Sequence, residues 1–199
     1  MNKLKPAIVV IAGPNGAGKS TSAPQLLDEL MGVTEFVNAD TIASGLSAFE
    51  PEKAAIAAGR IMLTRLKELA RQKVNFAFET TLASKSFAPW LKELTANNKY
   101  HLHFVYLWLP SPDLAVARVK SRIAMGGHSV PEDTIRRRYD KGLNNFFQLY
   151  RPLSCSWRFY NAAGPKIKLI ASGNGKSPLT LQDSELWHNI EKGRANDKK

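Results

Sequence analysis

The chain has 199 residues, 44% of them apolar and 23% charged, an ordinary globular composition with enough length to bury a sizeable core. Cys155 is the single cysteine, so an intramolecular disulfide is excluded and a reducing cytoplasm is the expected setting. No apolar run approaches the ~18 to 20 residues that would span a bilayer, so no membrane partner is expected. The formal net charge of +11 leaves two readings open, nucleic-acid binding and the handling of polyanionic small molecules. No RNA-binding aromatic signature accompanies the basic residues, which disfavours nucleic acid as the direct substrate.

Taken in chain order, the basic residues 1–5 and the apolar run 7–12 imitate a secretory leader. The run stops after about six residues, where a leader needs about 7 to 15, and it reads as a buried first strand. Residues 19–31 predict a helix with Pro24 in its first turns, and 35–39 a short strand. Pro51 opens a long helix to residue 72, a favoured place for proline. Residues 74–79 predict a strand and 85–97 a helix. Residues 100–109 form the longest apolar stretch, a central strand covered on both faces. A helix over 112–125 is broken by Gly126-Gly127, and Pro131 opens another to about residue 150. Segments 157–160 and 166–171 complete the sheet. Residues 173–177 read as a loop, 184–192 as a short helix and 193–199 as a frayed end. Alternating strands and helices predict an α/β fold: a mainly parallel central sheet flanked by helices. The chain reads as one domain over 1–199, with a short helical lid at about 122–138 and a C-terminal extension at about 173–199.

The chemistry begins at Gly13-Pro14-Asn15-Gly16-Ala17-Gly18-Lys19-Ser20-Thr21. The spacing matches the Walker A pattern in full. Its glycines let backbone N–H groups turn inward around an oxyanion, and the following helix aims its positive end there. Lys19 can reach the β and γ phosphates of ATP or GTP, and Ser20 can ligate Mg²⁺. The motif predicts a P-loop NTPase fold.

A P-loop alone does not separate ATPase, GTPase and kinase. Asp40 follows a predicted strand, where it can accept the proton of an attacking hydroxyl or serve as an N-cap. Glu79 ends another strand, where it can orient Mg²⁺ through water, bind acceptor hydroxyls, or be a solvated strand end. Thr80 and Thr81 are acceptor contacts or turn residues. Arg118 and Arg122 share a helix face. Arg136, Arg137 and Arg138 follow the glycine break, and three consecutive arginines cannot all point inward. Hinges flanked by cations suit a lid that closes on phosphates, with Arg122 and then Arg136 expected to face them. No guanine-recognition signature or ABC-type signature is present, so a small-molecule kinase is favoured. The alternative is a nucleotide-gated binding or regulatory protein without small-molecule kinase activity.

Together these pieces resemble the zeta toxin family of P-loop kinases, in its small members with a Gly-Gly-His-x-Val-Pro segment. The matching residues are the P-loop, Asn38-Ala39-Asp40, Phe78-Glu79-Thr80-Thr81, Arg118 to Arg122, Gly126-Gly127-His128-Ser129-Val130-Pro131-Glu132, Arg136 to Tyr139, and Tyr160-Asn161. The resemblance implies Mg²⁺-dependent transfer from ATP or GTP to a hydroxyl. Well-known members phosphorylate a sugar hydroxyl of UDP-N-acetylglucosamine, and some act beside an antitoxin protein. On this likeness Asp40 matches the general base, and Lys19 and Arg122 the cations on the moving phosphate. Glu79, with Thr80 and His128, lies on the acceptor side, and Asn161 near the nucleotide base. One departure stands out. Toxin members carry an arginine shortly before the lid proline; the corresponding position here is His128, three residues ahead of Pro131, and Arg136 or Arg138 becomes the candidate replacement.

Overall fold

The computed structural model describes residues 5–29, 33–97, 99–127 and 129–196. In chain order they form β1 (Ala7–Ala12), α1 (Lys19–Glu29), β2 (Glu35–Val37), α2 (Ala39–Leu46), α3 (Ala55–Gln72), β3 (Phe76–Thr80), α4 (Phe87–Ala96) and β4 (His101–Trp108). They continue with α5 (Pro112–Ala124), α6 (Glu132–Asn145), β5 (Ser156–Asn161), β6 (Lys168–Asn174), β7 (Ser177–Leu181) and α7 (Ser184–Asn196). The described strands make one sheet in the order β2-β3-β1-β4-β5-β6-β7. The first five run parallel, and β6 and β7 are antiparallel additions.

Strand β1 is apolar throughout because both its faces are covered, as a central parallel strand requires. Ile8, Val10 and Ala12 enter one core with Leu66 of α3, Leu91 of α4 and Trp187 of α7. Val9 and Ile11 enter the other with Leu26 of α1, Val119 of α5 and Ile135 of α6. Helices therefore cover both sides of the sheet. Register brings Ala12 beside Thr80 on one side and Tyr106 on the other, so the segments following β1, β3 and β4 gather at one end. That is where a ligand crevice opens in such sheets.

Three departures from the sequence reading have physical reasons. Residues 173–177 are not a plain loop: they hold the end of β6, a turn and the start of β7. All of β7 is exposed, so burial imposed no apolar alternation to read. The long helix after Pro131 stops at Asn145, and a π-helical turn over Phe146–Tyr150 carries Phe146, Phe147 and Tyr150 into the core. Helix α7 also runs to Asn196, past the expected fraying point. Among the described residues no helix is long and apolar enough to cross a membrane.

The C-terminal segment belongs to the core. Trp187 is fully buried and stacks on Trp157 with centroids 5.2 Å apart and an interplanar angle of 12°. The Arg151 guanidinium lies 4.9 Å over the Phe147 ring and pairs with Glu191 at 3.2 Å. Trp187→Ala is expected to cost about 3–5 kcal/mol through cavity formation. A lowered urea midpoint with unchanged nucleotide affinity in the folded protein would confirm it; an unchanged midpoint would contradict it.

Candidate active site

The P-loop bends through left-handed backbone at Gly13, Gly16 and Gly18, with φ of 143°, 79° and 76°. Gly13 is doubly required, because a Cβ there would lie 2.2 Å from the Leu107 carbonyl oxygen. The loop lies directly against β4 and delivers Lys19 to the start of α1. Lys19 is 6% exposed; its Nζ donates to the Pro14 carbonyl at 2.9 Å and faces Glu79 Oε1 at 3.6 Å. Burial lowers its pKa, Glu79 and Asp40 oppose that shift, and the nearby Arg122 adds to it.

Glu79 collects the donors around it. Ser20 Oγ donates to Glu79 Oε2 at 2.6 Å, and Asn38 Nδ2 donates to the same oxygen at 2.9 Å and to Ser20 Oγ at 3.3 Å. Ser20 and Glu79 offer hard oxygens of the kind Mg²⁺ prefers. No group of three or more His, Cys, Asp or Glu among the described residues could hold a metal alone. A Mg²⁺ ion here would complete its shell with water and phosphate oxygens, which suits a nucleotide-dependent site. Asn15 is also buried in the loop, with no hydrogen-bond partner for its Oδ1. Thr21 is exposed on α1.

Beside the loop lies a cleft of about 760 Å³ that contains Lys19, Asp40, Glu79, Thr80 and Arg138 in its walls. Asn38 is the N-cap of α2: its Oδ1 accepts from the Asp40 N–H at 2.7 Å. Asp40 is therefore not the cap, and it stands in the first turn, where the helix dipole favours a carboxylate. Thr80 and Thr81 line the cleft while their hydroxyls accept from the Leu82 and Ala83 N–H groups at 3.1 and 3.4 Å.

The arginines divide by helix phase. Arg118 donates to the Ala162 and Ala163 carbonyls at 2.7 and 2.6 Å and reaches the Gly16 carbonyl at 3.5 Å. It ties the loop after β5 to the P-loop. Asn161 shapes the same loop by accepting from the Ala163 N–H at 2.9 Å, so its side chain is committed to the backbone. Arg122 lies near Lys19, and α5 ends just beyond it in a Schellman turn. Gly127 N–H donates to the Arg122 carbonyl at 2.9 Å and Gly126 N–H to the Ile123 carbonyl at 2.9 Å. Arg136 requires correction as a phosphate-facing residue. It pairs with Asp113 at 2.7 Å and Glu132 at 2.8 Å, on the α5 side of α6. Arg137 and Arg138 line the cleft instead. His128 lies outside the described residues.

Helix α6 is held firmly. A Cβ on Gly142 would lie 2.2 Å from the Thr81 carbonyl oxygen, so the helix touches the segment after β3. Asn145 Nδ2 donates to the Leu82 and Ala83 carbonyls at 2.8 and 3.2 Å. Tyr139 donates to the Leu109 carbonyl at 2.6 Å, and Tyr150, just beyond the helix, to the Ser84 carbonyl at 2.6 Å. The expected lid therefore ends in a fixed helix. Asn38, Arg118 and Tyr139 lie within the motif segments, but the sequence does not show their roles as bridge, clamp and anchor; only the apolar phase of α6 hints at that of Tyr139.

The zeta toxin family model matches residues 1–153. The chain belongs to the zeta toxin family. An uncharacterised protein of Haemophilus influenzae is 30% identical over 131 residues, covering 66% of this chain and 91% of that relative. Among solved structures, the fold recurs in one from the PezAT chromosomal toxin-antitoxin system of Streptococcus pneumoniae. That likeness has a TM-score of 0.65 and 15% identity, and covers 100% of this chain and 87% of the other. A chain of the AvrRxo1-ORF1:-ORF2 complex solved with ATP matches with a TM-score of 0.68 and 13% identity. This family member covers 64% of that longer chain, and 95% of its own length is matched.

Burial pushes the Tyr139 and Tyr150 phenols up to about 12 from an ordinary 10.0. A pKa raised on folding gives stability that is complete below the unfolded value and lost as pH rises through the folded one. Unfolding free energy is therefore expected to fall between pH ~10 and ~12. Tyr139→Phe should flatten part of that fall. It should also cost about 1–3 kcal/mol at neutral pH, because the Leu109 carbonyl loses its donor. Urea melts across this range check both effects, and an unchanged alkaline slope in the variant would contradict the assignment.

Proposed function

We propose that this zeta toxin family member is a kinase that moves the γ-phosphate of ATP or GTP, with Mg²⁺, onto a hydroxyl of a small acceptor. The observation that carries this reading is the shared cleft: a buried phosphate-reaching cation, Lys19, and an exposed carboxylate, Asp40, line one cavity. A nucleotide-sugar such as UDP-N-acetylglucosamine is the first acceptor to test. The family membership and the ATP in the AvrRxo1-ORF1:-ORF2 structure support the nucleotide assignment. The toxin-antitoxin system named for the PezAT structure supports an antitoxin as a candidate partner.

The residues divide the work. Gly13 to Thr21 hold the phosphates, with the backbone N–H groups of the loop and the N-terminus of α1 as donors. Lys19 leaves Glu79 for the β and γ phosphates. Ser20 and Glu79, the latter held by Asn38, are the residues that would hold Mg²⁺, Ser20 through its hydroxyl oxygen and Glu79 through its carboxylate. Bound Mg²⁺ would supply charge neutralisation on the β and γ oxygens. The acceptor sits between Asp40, Thr80 and the cleft wall. Its oxygen forms a bond to the γ-phosphorus as the bond to the β–γ bridging oxygen breaks. Asp40 takes the hydroxyl proton, and ADP or GDP leaves with the electron pair. Arg122, beside Lys19, stabilises the charge spread over the moving group.

The test incubates the protein with Mg²⁺-ATP and UDP-N-acetylglucosamine, nucleosides or a metabolite extract, and looks by mass spectrometry for a phosphorylated product. Lys19→Ala and Asp40→Ala should each lower transfer by at least about 100-fold, and only Lys19→Ala should strongly weaken ATP binding. Near-normal turnover in Asp40→Ala would remove it as the base. Tight ATP binding with no phosphorylated product would favour a nucleotide-gated binding protein instead.

A further inference from the structure

We propose that Arg138 is a further catalytic residue, a cation fixed on α6 that contacts the transferred phosphoryl group. This rests on the kinase reading above, but it assigns a group that the sequence pattern leaves open among three adjacent arginines.

Helix geometry separates the three. Successive residues turn by about 100° on an α-helix, so Arg136 and Arg138 lie on opposite flanks. The buried stripe Ile135, Tyr139, Gly142 and Asn145 fixes which way the helix faces. On one flank, Glu132 and Arg136 are neighbours, and Arg136 is engaged by Glu132 and by Asp113 of α5. On the other, Thr134 and Arg138 stand one turn apart, and both line the cleft with Lys19 and Asp40. Arg138 is half-buried, and among the described residues it makes no hydrogen bond or ion pair within 4.0 Å. The surroundings of Arg138 remove water from its guanidinium, which pulls its pKa down, while the Asp40 carboxylate is close enough to oppose that shift. A half-buried guanidinium in the same cleft wall as the proposed base and Lys19 is a charge suited to an anion there.

Placement also favours catalysis over loose binding. Arg138 precedes Tyr139, whose hydroxyl is fixed on the Leu109 carbonyl, and stands one turn before Gly142, which touches Thr81. Its backbone is therefore set before any ligand arrives, the preorganisation that makes a cation effective on a transition state. Arg137, exposed on the same wall, is less desolvated and suits the acceptor's outer part.

The test uses Mg²⁺-ADP with and without aluminium fluoride, a mimic of the phosphoryl group in flight, and measures ADP affinity by titration calorimetry. It needs no knowledge of the acceptor. Wild type should bind ADP much more tightly when fluoride complexes are present. Arg138→Gln should keep the ADP affinity and lose about 100-fold or more of the gain, while Arg138→Lys should recover part of it. Arg136→Gln should keep the gain. Preserved ADP binding shows that each variant is folded. An Arg138→Gln protein that gains as wild type does, or that loses ADP affinity in the same proportion, overturns the proposal. So does a loss confined to Arg136→Gln. A wild type with no gain at all would count against the kinase reading itself, which separates the two failures.

Discussion

A buried ammonium organises this end of the molecule. Lys19 is placed in a low-dielectric pocket by a loop that only glycine allows to lie against β4. A desolvated charge of this kind is costly unless it is answered by an opposite one. Here the answer is Glu79, and Glu79 in turn draws Ser20 and Asn38 around it. Asn38 then caps α2 and sets the position of Asp40. A single electrostatic requirement thus links β1, β2 and β3 at their C-terminal ends. Each member of this network also has a natural alternative partner in a phosphate, a metal ion or a water.

A second constraint is the rigidity of α6. Lids are often pictured as mobile from end to end, but here the glycine turn after α5 leads into a helix clamped to the β3 and β4 ends by Tyr139, Gly142 and Asn145. Arg137 and Arg138 line the cleft from that fixed helix. Arg118 extends the same logic to the opposite side, where it couples the loop after β5 to the P-loop.

Much of this was legible in the sequence, for identifiable reasons. The P-loop could be read because its glycines, lysine and serine act through the backbone and local spacing. β1 could be read because a strand buried on both faces must be continuously apolar, and β4 because it is apolar from Phe104 to Trp108. Asp40 stood out as a carboxylate following a predicted strand and Glu79 as one ending a predicted strand. Other features depend on contacts between distant segments. Asn38 gains its role only when Ser20 and Glu79 come within hydrogen-bond reach. The choice among Arg136, Arg137 and Arg138 needs the direction in which α6 packs. The Ile135, Tyr139 and Gly142 stripe gives the helix phase, but which flank faces the P-loop is decided by Asp113 and Glu132 on the other side. Strand β7 escaped notice because it buries no face.

If Lys19 exchanges Glu79 for phosphate, a crystal structure of the protein with Mg²⁺ and a non-hydrolysable ATP analogue will show Lys19 Nζ on the β and γ oxygens, with Ser20 Oγ and Glu79 turned to the metal ion. Lys19 still resting on the Pro14 carbonyl and Glu79, with the analogue bound elsewhere, would contradict it.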